Sequence, residues 1–400
     1  MLGLAVLSTT TLGLIALGAL EQRKHLNALA RIPTRIHVNG TRGKSSVTRL
    51  IAAGLRAGGV RTVAKTTGTL PRLIQPDGVE QAVPRQGRAN VIEQVHVVAD
   101  AAAAGAEALV VECMALQPYL QWLTESRMIR ATHGVITNAR PDHLDVMGPG
   151  EADVAKALVG MVPTTPGAKM YTAEPDHQAI FEGACADRGA SLIRVFSDDL
   201  TRLIELPPEQ IMGGFQYLAH RDNVALALRI CMDLGVDPQI ALKGMWAATP
   251  DPGATTVHTF EVDGAPVVFY NGFAANDPES TQALWRTALE QHPHLQHTVA
   301  LLNCRADRAD RSRQLGEAIP SWIRPSEVAL MGTGTELLAH TALKQGLPED
   351  LVNHVEHVEA DTLLCHLAKG QAGGSLIVGM GNIGGHGLEV VEAAKRRSAG

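Results

Sequence analysis

The sequence predicts an α/β protein built on largely parallel sheets. Three observations carry this. Short apolar runs alternate with amphipathic stretches after about residue 30. Several of those runs end on a polar residue. A glycine-rich loop closing on Gly-Lys-Ser stands between the first run and the first amphipathic stretch. Expected strands are Ile36–Asn39, Leu109–Cys113, Gly134–Asn138, Val267–Asn271, Thr298–Asn303, Val328–Met331 and Ser375–Gly379. Expected helices are Ser45–Ala57, Val91–Ala104, Asn223–Leu234, Glu279–Gln291 and Leu388–Arg397.

The chain ends of these strands matter, because open α/β sheets bind ligands at the carboxyl ends of their strands. Asn39, Asn138, Asn271 and Asn303 close strands, and Glu112 stands near the end of another. Asparagine also favours turns on its own account, so each is either a site residue or a turn residue. The string ATPDPGA, with two prolines and a glycine, reads as a linker near residues 248–254. It divides a central domain, 30–250, from a second α/β domain, 255–400.

Composition narrows the class. A chain of 400 residues with 45% hydrophobic and 19% charged side chains is not disordered. With 41 acidic and 35 basic residues the net charge is −6, and aromatics are 4%. Neither figure suits a nucleic-acid partner, which calls for a basic surface and stacking rings. The five cysteines are scattered with no Cys-x-x-Cys, which excludes a zinc ribbon or disulfide framework and fits a reducing compartment.

Residues 1–20 carry no charge, whereas Arg23, Lys24, Arg31 and Arg35 follow soon after. Twenty helical residues span about 30 Å, the thickness of a bilayer core. The expectation is a single-pass anchor helix over residues 1–22, at the cell membrane, with the remainder cytoplasmic. A cleaved signal peptide and a buried or interfacial helix are the alternatives. No charged segment precedes the run, and no small-x-small cleavage site follows it.

Residues 39–46 read NGTRGKSS. The strand–loop–helix setting is the one a phosphate loop requires. Gly40 and Gly43 let the backbone N–H groups of Thr41, Arg42 and their neighbours curl inward, and the helix start at Lys44, Ser45 and Ser46 adds positive potential. Lys44 reaches the β- and γ-phosphates, and the Ser45 hydroxyl ligates Mg²⁺. The loop is the short G-T-x-G-K-[ST] form, since Val38 stands where the common pattern has a glycine. Glu112, in LVVECMALQP, is a carboxylate at the end of a buried strand, a costly position unless paired or metal-bound. TNARPDHLD follows with Thr137, Asn138, Asp142, His143 and Asp145. Oxygen donors plus an imidazole near a phosphate loop suit Mg²⁺ or Mn²⁺.

With these pieces placed, the chain resembles the Mur ligase superfamily, and within it the catalytic subunit of poly-γ-glutamate synthase. The resemblance runs through GTRGKSS, VVECMALQP, TNARPDHLD, HRDNVALAL, FAANDPEST and LNCRADRADRS, in order and over nearly the whole chain. The phosphate loop begins near residue 40, so the expectation is that the amino-terminal UDP-binding domain of peptidoglycan Mur ligases is missing. What the resemblance implies is a central ATP-binding domain of Mur ligase type and a C-terminal Rossmann-like domain. It implies an ATP-dependent carboxylate–amine ligase that extends poly-γ-glutamate. Lys44 and Ser45 would hold ATP phosphates and Mg²⁺, and Glu112 and His143 the metal. Asn223 would face the adenine. Asp307 and Arg308 would approach ribose and phosphates from the second domain. On its own residues Lys156, in EADVAKAL, reads as an ordinary exposed helix lysine, and it stands only loosely where the family carries a carbamylated, metal-bridging lysine. Ala275-Asn276-Asp277-Pro278 departs from the family's Ala-His-x-Pro. Implied partners are glutamate, the growing chain and membrane subunits, with self-association open.

A polyanionic substrate calls for cations, and Arg72, Arg85 and Arg88 are candidate carboxylate clamps, with Glu93 for the amino group. Solvated loop residues are the plain alternative for each. Two competing functions remain at this level: a folylpolyglutamate synthase-like ligase, and a phosphate-loop NTPase that makes no amide bond.

Overall fold

The computed structural model describes residues 2–68, 70–83, 85, 89–251 and 253–399. Two units emerge, Met1–Phe215 with Ala219–Thr249, and Gln216–Leu218 with Pro250–Gly400.

The first unit holds an eight-stranded sheet. Its strands are β1 (Thr34–Asn39), β2 (Thr62–Lys65), β3 (Arg72–Ile74), β4 (Glu80–Ala82), β5 (Ala108–Glu112), β6 (His133–Ile136), β7 (Lys169–Thr172) and β8 (Ser191–Arg194). The order is β4-β3-β2-β5-β1-β6-β7-β8. Antiparallel pairing is confined to β3, against β2 and β4. The hairpin between β3 and β4 turns at Asp77-Gly78, a Gly with positive φ. β5, reading ALVVE, is buried along its whole length, as a central parallel strand covered on both faces must be. β1 lies between β5 and β6, so the chain leaves its carboxyl end where the strand order changes direction.

Helix α1 spans Leu2–Ala30, α2 Lys44–Ala57 and α3 Glu93–Ala103. α2 buries Val47, Leu50, Ile51 and Leu55 on its predicted apolar face, and packs on the helices Arg221–Asp233 and Pro238–Trp246. The expected strand Gly134–Asn138 stops at Ile136, because Thr137 and Asn138 turn to bond the phosphate loop instead.

The anchor expectation is corrected here. Among the described residues no helix is long and apolar enough to cross a membrane. The leucines of α1 are interrupted by Gly13, Gly18 and the hydroxyls of Ser8–Thr11, and charge enters at Glu21, Arg23 and Lys24. Its last turns serve the fold. Leu29 packs with Val97, Val98 and Ala101 of α3, and a ring nitrogen of His25 meets the Met128 carbonyl at 2.9 Å.

β1 also buries an ion pair. His37 is fully buried, with Nδ1 at 2.7 Å from Glu125 Oε2, while Glu125 Oε1 accepts the Ala131 backbone N–H. Burial opposes an imidazolium, but polar contacts with Cys113 and Glu125 outweigh it, and the His37 pKa is pushed up to about 9. A raised folded-state pKa means that this stabilisation is complete below the ordinary value of 6.5 and is lost as pH climbs through 9. Chemical unfolding should therefore show a stability loss on the order of 2–3 kcal/mol between about pH 7 and about pH 10. That portion of the pH dependence should vanish in His37→Gln; an unchanged profile would refute the assignment.

The second unit holds six strands: β9 (Thr256–Val262), β10 (Ala265–Asn271), β11 (His297–Cys304), β12 (Glu327–Gly332), β13 (Val352–His354) and β14 (Ser375–Gly381). The order is β13-β12-β11-β14-β10-β9, parallel except for β9. β9 and β10 join through Asp263-Gly264, both at positive φ, the turn that matches strand twist. Side chains alternate across this sheet. Val267, Phe269, Val299 and Leu301 enter one core, whereas Val268, Tyr270, Ala300 and Leu302 enter the other. The strand-end asparagines close loops here: Asn303 Nδ2 donates to the Gly384 carbonyl at 3.1 Å, and Asn271 Nδ2 to the Ala254 carbonyl at 3.1 Å.

Candidate active site at the phosphate loop

The site lies in the first unit, at the carboxyl ends of β1, β5 and β6. Gly40 has φ 132° and a Cβ there would lie 2.0 Å from Thr137 Oγ1, so only glycine fits. Gly43 caps α2 in the left-handed region, and a Cβ would press on the Asn223 amide at 2.7 Å. The loop is braced from β6. Thr41 Oγ1 donates to Asn138 Oδ1 at 2.7 Å, the Arg42 N–H donates to the same oxygen at 3.1 Å, and Thr137 Oγ1 donates to the Arg42 carbonyl at 2.6 Å. Thr137 and Asn138, read from sequence as oxygen donors near a metal, are therefore the struts of the loop.

Lys44 opens α2 and folds over the loop, its Nζ donating to the Gly40 carbonyl at 2.6 Å and the Thr41 carbonyl at 3.3 Å. Ser45 and Ser46 complete the first helical turn. The Ser45 hydroxyl donates to Glu112 Oε2 at 2.8 Å, and the Thr67 backbone N–H donates to the same oxygen at 2.7 Å. Glu112 is 2% exposed. A hydroxyl and a carboxylate thus meet beside the loop, joined through the Thr67 N–H to a cavity of about 150 Å³ lined by Gly40, Thr41, Lys44, Thr67, Arg85 and His143.

His143 precedes the short helix Leu144–Met147 with φ 47°, and its Nε2 lies 3.8 Å from Asp142 Oδ1. Among the described residues no group of three or more His, Cys, Asp and Glu side chains could hold a metal by itself. That donor set still fits Mg²⁺, which keeps several waters and is held by one or two protein oxygens plus substrate phosphates. Ser45 and Glu112 would be the two protein oxygens for such an ion, and His143 lines the neighbouring cavity.

Other sequence-predicted residues lie elsewhere. Lys156 is corrected: it sits on the outer face of the helix Glu151–Leu158, 65% exposed, paired to Asp153 at 3.3 Å. The same helix turns Val154, Ala155 and Leu158 inward, so its spacing directs Lys156 to solvent. Asn223 is buried against Gly43. Arg72 lies on β3 and does not line the cavity. Arg88 lies outside the described residues. Asp307 and Arg308 belong to the second unit, in the turn after β11, where Asp307 accepts two hydrogen bonds from the Arg305 guanidinium at 3.0 and 2.8 Å. Asp277 caps the helix Pro278–Gln291 by accepting the Ser280 N–H at 2.9 Å.

Glu93, expected at the substrate amine, is bound by cations. Arg85 grips it with Nε and Nη2 at 2.7 and 3.1 Å, and Lys65 Nζ approaches its Oε2 at 3.4 Å. Lys65, wholly buried on β2, gave no signal in the sequence. Burial lowers its pKa, while Glu93 opposes that shift. The same two cations and the Asn90 backbone hold the Glu93 carboxyl below its usual range, against its own burial.

Residues 38–185 match the family model of the Mur ligase middle domain, and residues 257–397 that of the poly-gamma-glutamate synthase CapB C-terminal domain. The chain is 33% identical over 381 residues to PGA synthase CapB of Bacillus subtilis, covering 95% of this chain and 94% of that protein. It is 34% identical over 382 residues to the capsule biosynthesis protein CapB of Bacillus anthracis, covering 95% and 80%. Among solved structures, folylpolyglutamate synthase of Mycobacterium tuberculosis, complexed with ADP and AMPPCP, superposes with a TM-score of 0.64 at 19% identity, over 94% of both chains. A bifunctional folylpolyglutamate synthase/dihydrofolate synthase with Mn, AMPPNP and L-glutamate bound superposes with a TM-score of 0.64 at 18% identity, over 94% of this chain and 93% of that one. The chain belongs to the poly-gamma-glutamate synthase CapB family, within the Mur ligases, and is an ATP-dependent ligase.

Proposed function

We infer that the protein joins the γ-carboxylate of one glutamate to the amine of another, extending a poly-γ-glutamate chain with release of ADP and phosphate. The observation that carries this reading is the meeting of Ser45 and Glu112 at the phosphate loop, next to a cavity lined by Lys44, Thr67, Arg85 and His143. The names of the curated relatives, and the L-glutamate bound to one structural neighbour, support glutamate as substrate.

In the first step a carboxylate oxygen attacks the γ-phosphorus, and the bond to the β-phosphate oxygen breaks to release ADP. In the second, an amine nitrogen attacks the acyl carbon, the C–O bond to phosphate breaks, and the nitrogen loses a proton. The chain's task in the first step is positioning and neutralisation of charge. Lys44 leaves the Gly40 and Thr41 carbonyls for the phosphates. The loop N–H groups and the start of α2 hold the phosphate anions. Glu112 and Ser45, with His143, would hold Mg²⁺ or Mn²⁺, which supplies charge neutralisation between phosphate and carboxylate. Arg85 lines the same cavity while paired to Glu93, and would have to share its guanidinium between that carboxylate and one of the substrate.

Protein incubated with ATP, Mg²⁺ and L-glutamate should release ADP and phosphate in proportion to amide formed, read by mass spectrometry. Release of AMP and pyrophosphate would overturn the acyl-phosphate route. Turnover that required a pterin would place the chain with the folylpolyglutamate synthases instead.

A further inference from the structure

A second cavity lies farther along α2. Its volume is about 240 Å³, and its walls include Arg49, Arg56, Glu80, Gly244, Ala248 and Thr249. Arg49 is committed. It pairs with both carboxylate oxygens of Glu80, Nη2 to Oε2 at 3.0 Å, and its Nη1 also donates to the Thr249 carbonyl at 3.3 Å. Arg56 differs: its Nη1 is buried and meets no hydrogen-bond partner among the described residues. A buried guanidinium N–H left unmet is costly, and the arrangement becomes favourable when an anion supplies the acceptor. Burial holds the Arg56 pKa below the ordinary guanidinium value, with Glu80 and Asp77 opposing and the charge of Arg49 reinforcing the shift. The cavity wall carries two guanidinium groups and the one carboxylate of Glu80, with the carboxylate of Asp77 acting on Arg56 from outside the lining.

We propose that this cavity binds a carboxylate of a γ-glutamyl chain, with Arg56 as its counter-ion. The planar fork of the guanidinium matches a carboxylate in shape and charge. Arg56 lies twelve residues beyond Lys44 on one helix, a rise of about 18 Å. The cavity is therefore well removed from the reacting phosphate and suits a part of the chain that is already formed. The identity of the ligand rests on the γ-glutamyl ligase reading, whereas the anion chemistry rests on the cavity alone.

The test is calorimetric titration of the full chain with a synthetic γ-glutamyl pentamer, with glutamate and with inorganic phosphate. Arg56→Gln removes the charge. Ala247→Glu, at an exposed position on the rim of the cavity, opposes an anion without touching the core and serves should Arg56→Gln fold poorly. Both variants should weaken pentamer binding about tenfold or more, and leave ATP binding unchanged. Equal pentamer affinity in wild type and both variants would overturn the site. Tighter Arg56-dependent binding of phosphate than of pentamer would overturn the carboxylate assignment, and glutamate binding as tightly as pentamer would overturn the chain assignment. Absence of ligase turnover in wild type would sink the functional reading but leave the Arg56-dependent difference in place, so the two failures are separable.

Discussion

Lys44→Ala should lower ATP turnover by about two to three orders of magnitude, while the folded state keeps its thermal stability. In the free protein the Lys44 ammonium is held by the Gly40 and Thr41 carbonyls. Neither carbonyl depends on it, because the loop is braced from Thr137 and Asn138. What the alanine removes is the cation that meets the phosphates as charge builds in the transition state. Lys44→Arg should fail nearly as badly, since a planar fork cannot replace a compact ammonium on this short loop. Steady-state ADP release and a thermal melt check both halves. Wild-type turnover in Lys44→Ala would remove the phosphate-loop assignment.

Glu112→Gln should cost about a hundredfold in activity at limiting Mg²⁺, with partial recovery as Mg²⁺ is raised. The glutamine keeps an oxygen for the Ser45 hydroxyl and the Thr67 N–H, so stability should change by less than about 1 kcal/mol. Glu112→Ala separates the two roles. It leaves two half-buried donors without that acceptor, at about 1 kcal/mol, in addition to the metal defect. Activity measured against Mg²⁺ concentration distinguishes them, and a Glu112→Gln enzyme with an unchanged Mg²⁺ dependence would show that this carboxylate holds no metal.

How much of this was legible in the sequence depends on the kind of signal. The phosphate loop was legible because glycines, lysine and serine stood between an apolar strand and an amphipathic helix. Glu112 was legible because a carboxylate ending ALVVE has no cheap explanation. Lys65 was not. It ends TVAK, a string of four in which a terminal lysine reads as strand-end polarity, and only the approach of Glu93 and Met114 reveals its burial. His37 was hidden likewise, because its partner Glu125 is 88 residues distant. The strands β7 and β8, reading KMYT and SLIR, were missed as too short and too polar at their ends. The hairpin of β3 and β4 carries an Asp-Gly turn, but its strands are only three residues each and show no apolar run. Lys156 shows the two signals parting: a family position suggests a metal-bridging role, whereas the periodicity of EADVAKAL turns that side chain outward, as the structure has it.

The sheet also acts as a ruler. The phosphate loop follows β1, Glu112 ends β5, and the segment leading to His143 follows β6; β5 and β6 are the immediate neighbours of β1. Adjacent strands stand about 4.8 Å apart, so the three chemistries are spread over about 10 Å whatever the lengths of the loops between them. The breadth of the reaction site is fixed by backbone hydrogen bonding. Insertions in distant connections, or changes along β7 and β8, leave that breadth untouched, whereas a register slip in β5 by one residue would turn Glu112 to the opposite face and dismantle the site.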